Sequence, residues 1–227
     1  MNNKAKEYYE ELASKYLFLA TRYIRKYDEL TKIVAETILA RNPWRVLDIG
    51  QGVGNVEQMI LDANDEVYIN CIDSEKGMVQ VARQTLRPYG KRVDVQCGDI
   101  TECKAEKIYD AILSNLVIHN IPHDKKSNVL NVIYHSLRDG GIFVWGDLIT
   151  FDDPDKVKAA FDARKKFAIE KGEDPESDFF KKSFYKEENL DYTLTPKQTI
   201  DLMCRVGFRN VNQIWGYDNF GVFVGEK

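Results

Sequence analysis

The sequence is poor in residues that hold a protein together by covalent or metal chemistry. Its 227 residues include four cysteines and three histidines. Cys71, Cys97, Cys103 and Cys204 form no C-x-x-C pair, and Cys71 and Cys97 lie in apolar runs where a thiol behaves as a small buried hydrophobe. Zinc and redox chemistry therefore carry little weight, and no metal is expected. No run approaches the roughly 18 apolar residues of a membrane span, so no membrane partner is expected. Positive charge is also short: 32 Lys and Arg against 36 Asp and Glu give a net charge of −4. That balance supplies no global field to gather phosphates, which disfavours nucleic acid and leaves structured RNA on a local basic patch as a demoted reading. The segment from Met1 to Glu11 is polar and lacks the apolar core of an export signal, so a cytoplasmic location is expected. Internal repeats and low-complexity tracts are absent.

What remains is an ordinary globular composition long enough for one enlarged domain. Leu12, Tyr16, Leu19, Tyr23, Leu30, Ile33, Val34 and Ile38 recur at three- and four-residue steps, predicting two amphipathic helices that end at Asn42-Pro43. The period then changes. Short apolar strands are expected at residues 45–49, 67–72, 93–97, 110–114 and 142–145, alternating with helices at 55–63, 75–86 and 125–137. Ser74 is expected to cap the second of these helices, and Asp139-Gly140-Gly141 is expected to form a turn. This alternation predicts a doubly wound, Rossmann-like α/β fold with a mainly parallel seven-stranded sheet. Residues 211–215 and 220–224 lie too close together for a parallel crossover, so they predict an antiparallel C-terminal hairpin. Four segments follow: 1–42 as a helical cap, 43–150 as the core, 151–194 as a helical insert or lid, and 195–227 as the closing helix and hairpin. The insert carries Phe179, Phe180, Phe184, Tyr185 and Tyr192 among many charges, too polar for a core and too aromatic for a linker.

The sharpest local signal is Val46-Leu47-Asp48-Ile49-Gly50-Gln51-Gly52-Val53-Gly54, a strand running into alternate glycines and then a helix. Glycines there let a ligand approach the backbone. Counting from Gly50, the sixth position is Asn55, an imperfect dinucleotide fingerprint. Asp48 opposes a pyrophosphate and suits an ammonium. Asp73 ends the next strand about 20 residues on, where a carboxylate accepts from both ribose hydroxyls. Gly98-Asp99-Ile100 ends the third strand with an acid beside an apolar side chain, suited to an adenine amino group and ring face.

These blocks, with Asp110–Asn115 (DAILSN), Leu137–Gly141 (LRDGG) and the terminal hairpin, resemble in order the class I S-adenosylmethionine-dependent methyltransferases, across residues 45–150 and 195–227. Arg25-Lys26-Tyr27-Asp28-Glu29-Leu30 and Trp215-Gly216-Tyr217-Asp218-Asn219-Phe220 are further similar to the small stand-alone members related to carboxy-S-adenosylmethionine synthases. The resemblance implies S-adenosyl-L-methionine as cofactor and S-adenosyl-L-homocysteine as product. It implies a cofactor set of Asp48, Gly50, Gln51, Gly52, Asp73, Ser74, Asp99, Ile100 and Asn115, with Tyr27 closing over it.

His119 follows the fourth strand and is the candidate general base, with loop support as its alternative role; Trp145, Tyr185 and Trp215 are candidate walls of a substrate pocket. Ser114-Asn115-Leu116-Val117 stands where an N-P-P-Y or D-P-P-Y tetrapeptide would mark methylation of exocyclic amines on DNA bases. The expected acceptor is therefore a small molecule, handled by a monomer or homodimer. A carboxy-S-adenosylmethionine synthase-like or tRNA-modifying enzyme, a nicotinamide oxidoreductase and a noncatalytic S-adenosylmethionine-binding module are the rivals.

Overall fold

The computed structural model describes residues 13–104 and 109–227; Tyr8, Tyr9 and Leu12 of the expected helical cap lie outside them. The cap contributes α1 (Tyr16–Tyr23) and α2 (Tyr27–Leu39). The core then alternates β1 (Arg45–Ile49), α3 (Asn55–Ala63), β2 (Tyr68–Asp73), α4 (Lys76–Thr85), β3 (Val93–Cys97), β4 (Tyr109–Asn115), α5 (His123–Ser136) and β5 (Leu137–Leu148). The insert holds α6 (Pro154–Glu170) and α7 (Asp178–Asn189), and α8 (Pro196–Val206), β6 (Arg209–Tyr217) and β7 (Phe220–Glu226) complete the chain. One seven-stranded sheet runs in the order β3-β2-β1-β4-β5-β7-β6. Strands β1 to β5 pair in parallel, whereas β7 is antiparallel to both β5 and β6. The order reverses between β1 and β4, and a doubly wound sheet opens a crevice at that point, outside its carboxyl ends.

Both faces of the sheet are covered. On one, Leu30, Val34 and Ile38 of α2 and Ile60 and Leu61 of α3 pack on Val46, Ile69, Ala111 and Val144; on the other, Leu130 and Ile133 of α5 and Met203 of α8 pack on Ile112, Phe143 and Phe223. A third cluster joins elements far apart in sequence: Leu19 and Tyr23 of α1, Met78 of α4, and Ala168, Phe180 and Phe184 of the insert. Tyr23 lies 5.7 Å edge-on from Phe179 and 5.9 Å from Phe184. The aromatics that were too many for a linker thus dock on the cap.

Local chemistry explains where several elements begin. Thr195 and Gln198 cap α8 reciprocally, with Pro196 in its first turn. Ser74 does not cap α4: Glu75 holds that position, and the Asp73 carboxylate accepts from the Glu75 N–H at 2.8 Å. Asp139-Gly140-Gly141 is also not a free turn. It lies within β5, where the register with β4 shifts between Tyr109–Leu137 and Ala111–Ile142, so the extra residues bulge and Gly140 takes the left-handed conformation.

Candidate active site

The carboxyl ends of β1, β2, β3 and β4 frame a cleft of about 910 Å³ including its open mouth. Gly50, Gly52, Asp73, Ser74, Asp99, Ile100 and Asn115 all line it, so seven of the ten expected cofactor residues converge there. Gly50 and Gly52 turn the chain with φ of +79° and +57°. A Cβ on Gly52 would meet nothing within 4 Å, which leaves the bare backbone facing open space. Asp73 spans the loop: Oδ2 accepts from the Gly52 N–H at 3.0 Å and Oδ1 from Glu75. Burial pushes its carboxyl above the ordinary value, against those two bonds. Asp99 caps a short turn by accepting from the Thr101 N–H at 2.9 Å, which places Ile100 at the wall. Asn115 lines the cleft, and its Oδ1, beside Gly146, is buried without a hydrogen-bond partner.

Three expected cofactor residues stand elsewhere. Asp48 and Gln51 are buried and do not line the cleft. Asp48 instead pairs with Glu57 of α3 behind the loop. Burial first, and then the neighbouring carboxyl, pushes Asp48 well above its ordinary value, while burial also raises Glu57. Two carboxyls in that enclosure favour the protonated form. Tyr27 is buried beneath the same loop, its hydroxyl accepting from Asn55 Nδ2 at 3.1 Å. Tyr16, one turn into the cap and 6.4 Å edge-on from Tyr27, takes the bordering position.

A second chamber, about 700 Å³ with its mouth, adjoins the first; Tyr16 and Leu116 line both. Leu116 adopts a left-handed φ of +60°, a conformation that costs a branched residue about 1–2 kcal/mol, and it is held by its N–H to Gly146 O at 2.8 Å. Strain is therefore stored where the two chambers meet. The cap, the insert and the core each give walls: Leu19 and Tyr23, Phe179 and Phe184, Leu148 and Phe220.

His119 faces this chamber. Its Nδ1 lies 2.5 Å from Asp147 Oδ1, its own N–H donates to Asp147 Oδ2 at 2.9 Å, and Asn120 Nδ2 is 3.1 Å from its Nε2. An Nδ1–H donated to Asp147 leaves the Nε2 lone pair on the other side of the ring. Asp147 also accepts from Trp145 Nε1 and from the Leu148 N–H. Burial opposes its charge, but His119 beside it, those bonds and the charge of Lys126 together hold its carboxyl below the ordinary range. Lys126 is itself buried, donates to Ile118 O, and is pushed down to about 8 by burial against the pull of Asp147 and Asp191.

The expected substrate walls line neither chamber. Trp145 is core, packed on Phe143 and Phe223 and bonded to Asp147. Tyr185 is 52% exposed on the outer face of α7, because its neighbours Phe184 and Lys186 turn inward. Trp215 donates to Glu29 Oε1 at 2.8 Å and packs beside α2, lining neither chamber. The sequence assigns no site role to Leu116, Asp147, Arg164, Lys186, Glu187 and Asp191, and it presents Tyr16 among cap tyrosines at helical spacing, mostly packing with one or two facing ligand. Only Asp147, an acid at the end of an apolar strand, carried a readable signal.

Comparisons with known proteins agree with this geometry. Residues 46–141 match the model of a family described as a methyltransferase domain. The chain is 24% identical over 208 residues to a carboxy-S-adenosyl-L-methionine synthase of Campylobacter curvus (strain 525.92), covering 91% of this chain and 88% of that protein. In fold it is similar to the apo crystal structure of the S-adenosylmethionine-dependent methyltransferase SibL, with a TM-score of 0.69 at 19% identity over 96% of this chain, although it spans only 61% of that protein. It is likewise similar to a 1,6-didemethyltoxoflavin-N1-methyltransferase of Burkholderia thailandensis, with a TM-score of 0.66 at 15% identity, covering 96% of this chain and 86% of that one. With the strand order and the glycine-lined cleft, these findings show a methyltransferase domain at residues 46–141, in a chain similar along its length to S-adenosylmethionine-dependent enzymes.

Proposed function

We propose that this enzyme moves a methyl group from S-adenosylmethionine, held in the glycine-lined cleft, to a small-molecule acceptor in the adjoining chamber. The observation that carries this reading is the contact of the two cavities at Tyr16 and Leu116, with His119 on the acceptor side. Features of the cleft that support a cofactor there are the Gly52 backbone facing open space and the carboxylate of Asp73 and the side chain of Asn115 in its lining. When bound, the sulfonium supplies an already activated methyl group, so the protein is asked mainly for alignment, exclusion of water and removal of a proton.

In this reading Gly50 and Gly52 border the methionine moiety, Asp73 accepts from the ribose hydroxyls, Ser74 lies beside it, and Asp99 and Ile100 flank adenine. His119 Nε2 takes the acceptor's proton once the acceptor replaces Asn120 Nδ2, 3.1 Å away, as its partner, and Asp147 holds the ring in the tautomer that keeps the proton on Nδ1. The aromatic insert over residues 151–194 serves as a cover that keeps water out of the chamber. The chemistry belongs to a small metabolite of the cytoplasm; no helix among the described residues is long and apolar enough to cross a membrane. The full-length likeness to carboxy-S-adenosyl-L-methionine synthases supports a second reading, in which the enzyme alters the cofactor itself.

Calorimetry and mass spectrometry separate the possibilities. S-adenosylhomocysteine should bind and NAD should not, and incubation with S-adenosylmethionine and a metabolite extract should give a product heavier by one methylene. Preference for NAD sinks the methyltransferase reading, and a carboxylated cofactor in the mixture selects the second one.

A further inference from the structure

The chamber beside the cofactor cleft is closed in charge as well as in shape. It has two lining cations, Arg164 and Lys186. Arg164 is 3% exposed in its side chain; Nη1 meets Glu187 Oε2 at 2.6 Å and Nε donates to the Tyr23 carbonyl at 3.1 Å. Lys186 meets Asp191 Oδ1 at 2.6 Å. Asp147 is taken up by the His119 ring at Nδ1, by Trp145 Nε1 and by the Leu148 N–H. Lys125 lies on the cofactor cleft, not in this chamber, and Lys126 faces away to Ile118 O. Each cation of the lining is therefore neutralised by an acid of this chain. One acceptor is left over: Asp191 Oδ2, on a side chain 1% exposed, has no hydrogen-bond partner and stands 3.9 Å from His119 Nε2.

Buried charges stay buried when paired, and an extra anion gains nothing from a cation already neutralised while it is repelled by the unpaired carboxylate oxygen. A ligand that brings a donor meets the opposite situation, because Asp191 Oδ2 accepts and has no partner, and His119 Nε2 beside it accepts once the ligand replaces Asn120 Nδ2. Building on the methyltransferase reading, we infer that the chamber takes an uncharged, flat acceptor carrying an O–H or N–H group and turns carboxylates away. The flat shape follows from the walls, to which Tyr16, Tyr23, Phe179, Phe184 and Phe220 contribute five aromatic rings. The donor group lies against His119 and Asp191, and the rest of the molecule replaces water among the rings.

Naphthol and naphthoate, matched in shape and different in charge at pH 7, test this on the full chain saturated with S-adenosylhomocysteine. Naphthol should bind at least about tenfold more tightly by calorimetry, the scale set by like charges brought together in a desolvated site. Glu187→Gln, at a side chain 16% exposed, frees Arg164 and should raise naphthoate affinity about tenfold while leaving naphthol within about threefold. Naphthoate binding as well as naphthol to the unaltered protein overturns the inference, as does absence of naphthol binding or a Glu187→Gln protein whose naphthoate affinity does not move. The wild-type comparison stands even where the variant fails to fold. If S-adenosylhomocysteine does not bind, the methyltransferase reading fails; the same pair of probes on the unliganded chain then still reads the chamber's charge balance.

Discussion

The two cavities meet at Tyr16 and Leu116 but are built in opposite ways. The cofactor cleft is made largely of backbone and of side chains at the ends of successive strands, so its parts lie in short stretches of sequence. The second chamber is made of side chains from the cap, the core, the insert and the hairpin, joined by pairs such as Arg164 with Glu187 and His119 with Asp147. A ligand common to a whole class is held by what the fold provides in every member. A ligand particular to one enzyme is held by long-range pairings that the fold leaves free to vary. If that division is right, damage to one cavity should be separable from damage to the other.

The largest effect is expected at Asp147. Its carboxylate accepts from His119 twice, from Trp145 and from Leu148, all in the buried region between the chamber and the core. Asp147→Ala should cost about 3–5 kcal/mol of stability, the range for breaking a buried ionic network, as read from urea unfolding. At temperatures where the variant remains folded, its affinity for S-adenosylhomocysteine should stay within a few-fold of wild type. A parallel loss of cofactor affinity would mean the two cavities are one mechanical unit.

Asp73 gives the complementary break. Asp73→Ala should weaken S-adenosylhomocysteine binding by about 1.5–3 kcal/mol, the scale of charged hydrogen bonds. Naphthol binding to the neighbouring chamber should be untouched. Unchanged cofactor affinity would remove Asp73 from the ribose position.

Asp48 and Glu57 sharpen the comparison through pH. Both carboxyls are raised in the folded protein, so between the unfolded values of about 4 and their own raised values the folded state binds more protons than the unfolded. Their favourable contribution is complete below about pH 4 and is lost as pH rises through the folded values. Asp48→Asn removes one of the two, so Tm measured without ligand should fall less between pH 5 and pH 8 than in wild type. Parallel curves would show that the pair does not titrate behind the loop.

The same division explains what was legible in the sequence. Periodicity and the glycine loop gave the strand order's raw material, the C-terminal hairpin and seven residues of the cleft, because each rests on near neighbours in the chain. The glycine motif names the loop without saying which side of it Asp48 takes, and the resemblance that carries Tyr27 names a segment of the cap without saying how deep its ring is buried. Tyr185 was read as a wall because a run of insert aromatics does not reveal helix phase; Phe184, one residue earlier, faces in. Trp145 and Trp215 were read by their place at strand ends, but Asp147 and Glu29 captured their indole N–H groups. Arg164 could not be found at all, since its meaning depends on Glu187 and on Tyr23, 141 residues away in the chain.

The smallest effect tests the backbone character of the cleft directly. Gly50 and Gly52 both have left-handed φ, so alanine at either carries a strain of about 1–2 kcal/mol, but their surroundings differ. At Gly50 a Cβ would lie 2.2 Å from Val117 Cγ2, within the loop that leads to Leu116 and His119, so Gly50→Ala must move that loop. At Gly52 the Cβ meets no protein atom within 4 Å and enters the cleft instead. Gly52→Ala should therefore lower stability by only about 1 kcal/mol, the strain alone, while weakening S-adenosylhomocysteine binding and leaving naphthol binding as it was. Gly50→Ala should disturb both cavities, since Val117 is the first residue past their shared wall. A Gly52→Ala protein that binds S-adenosylhomocysteine as tightly as wild type would show that the backbone at Gly52 does not touch the ligand, and the cleft would have to be filled from the Asp99 side alone.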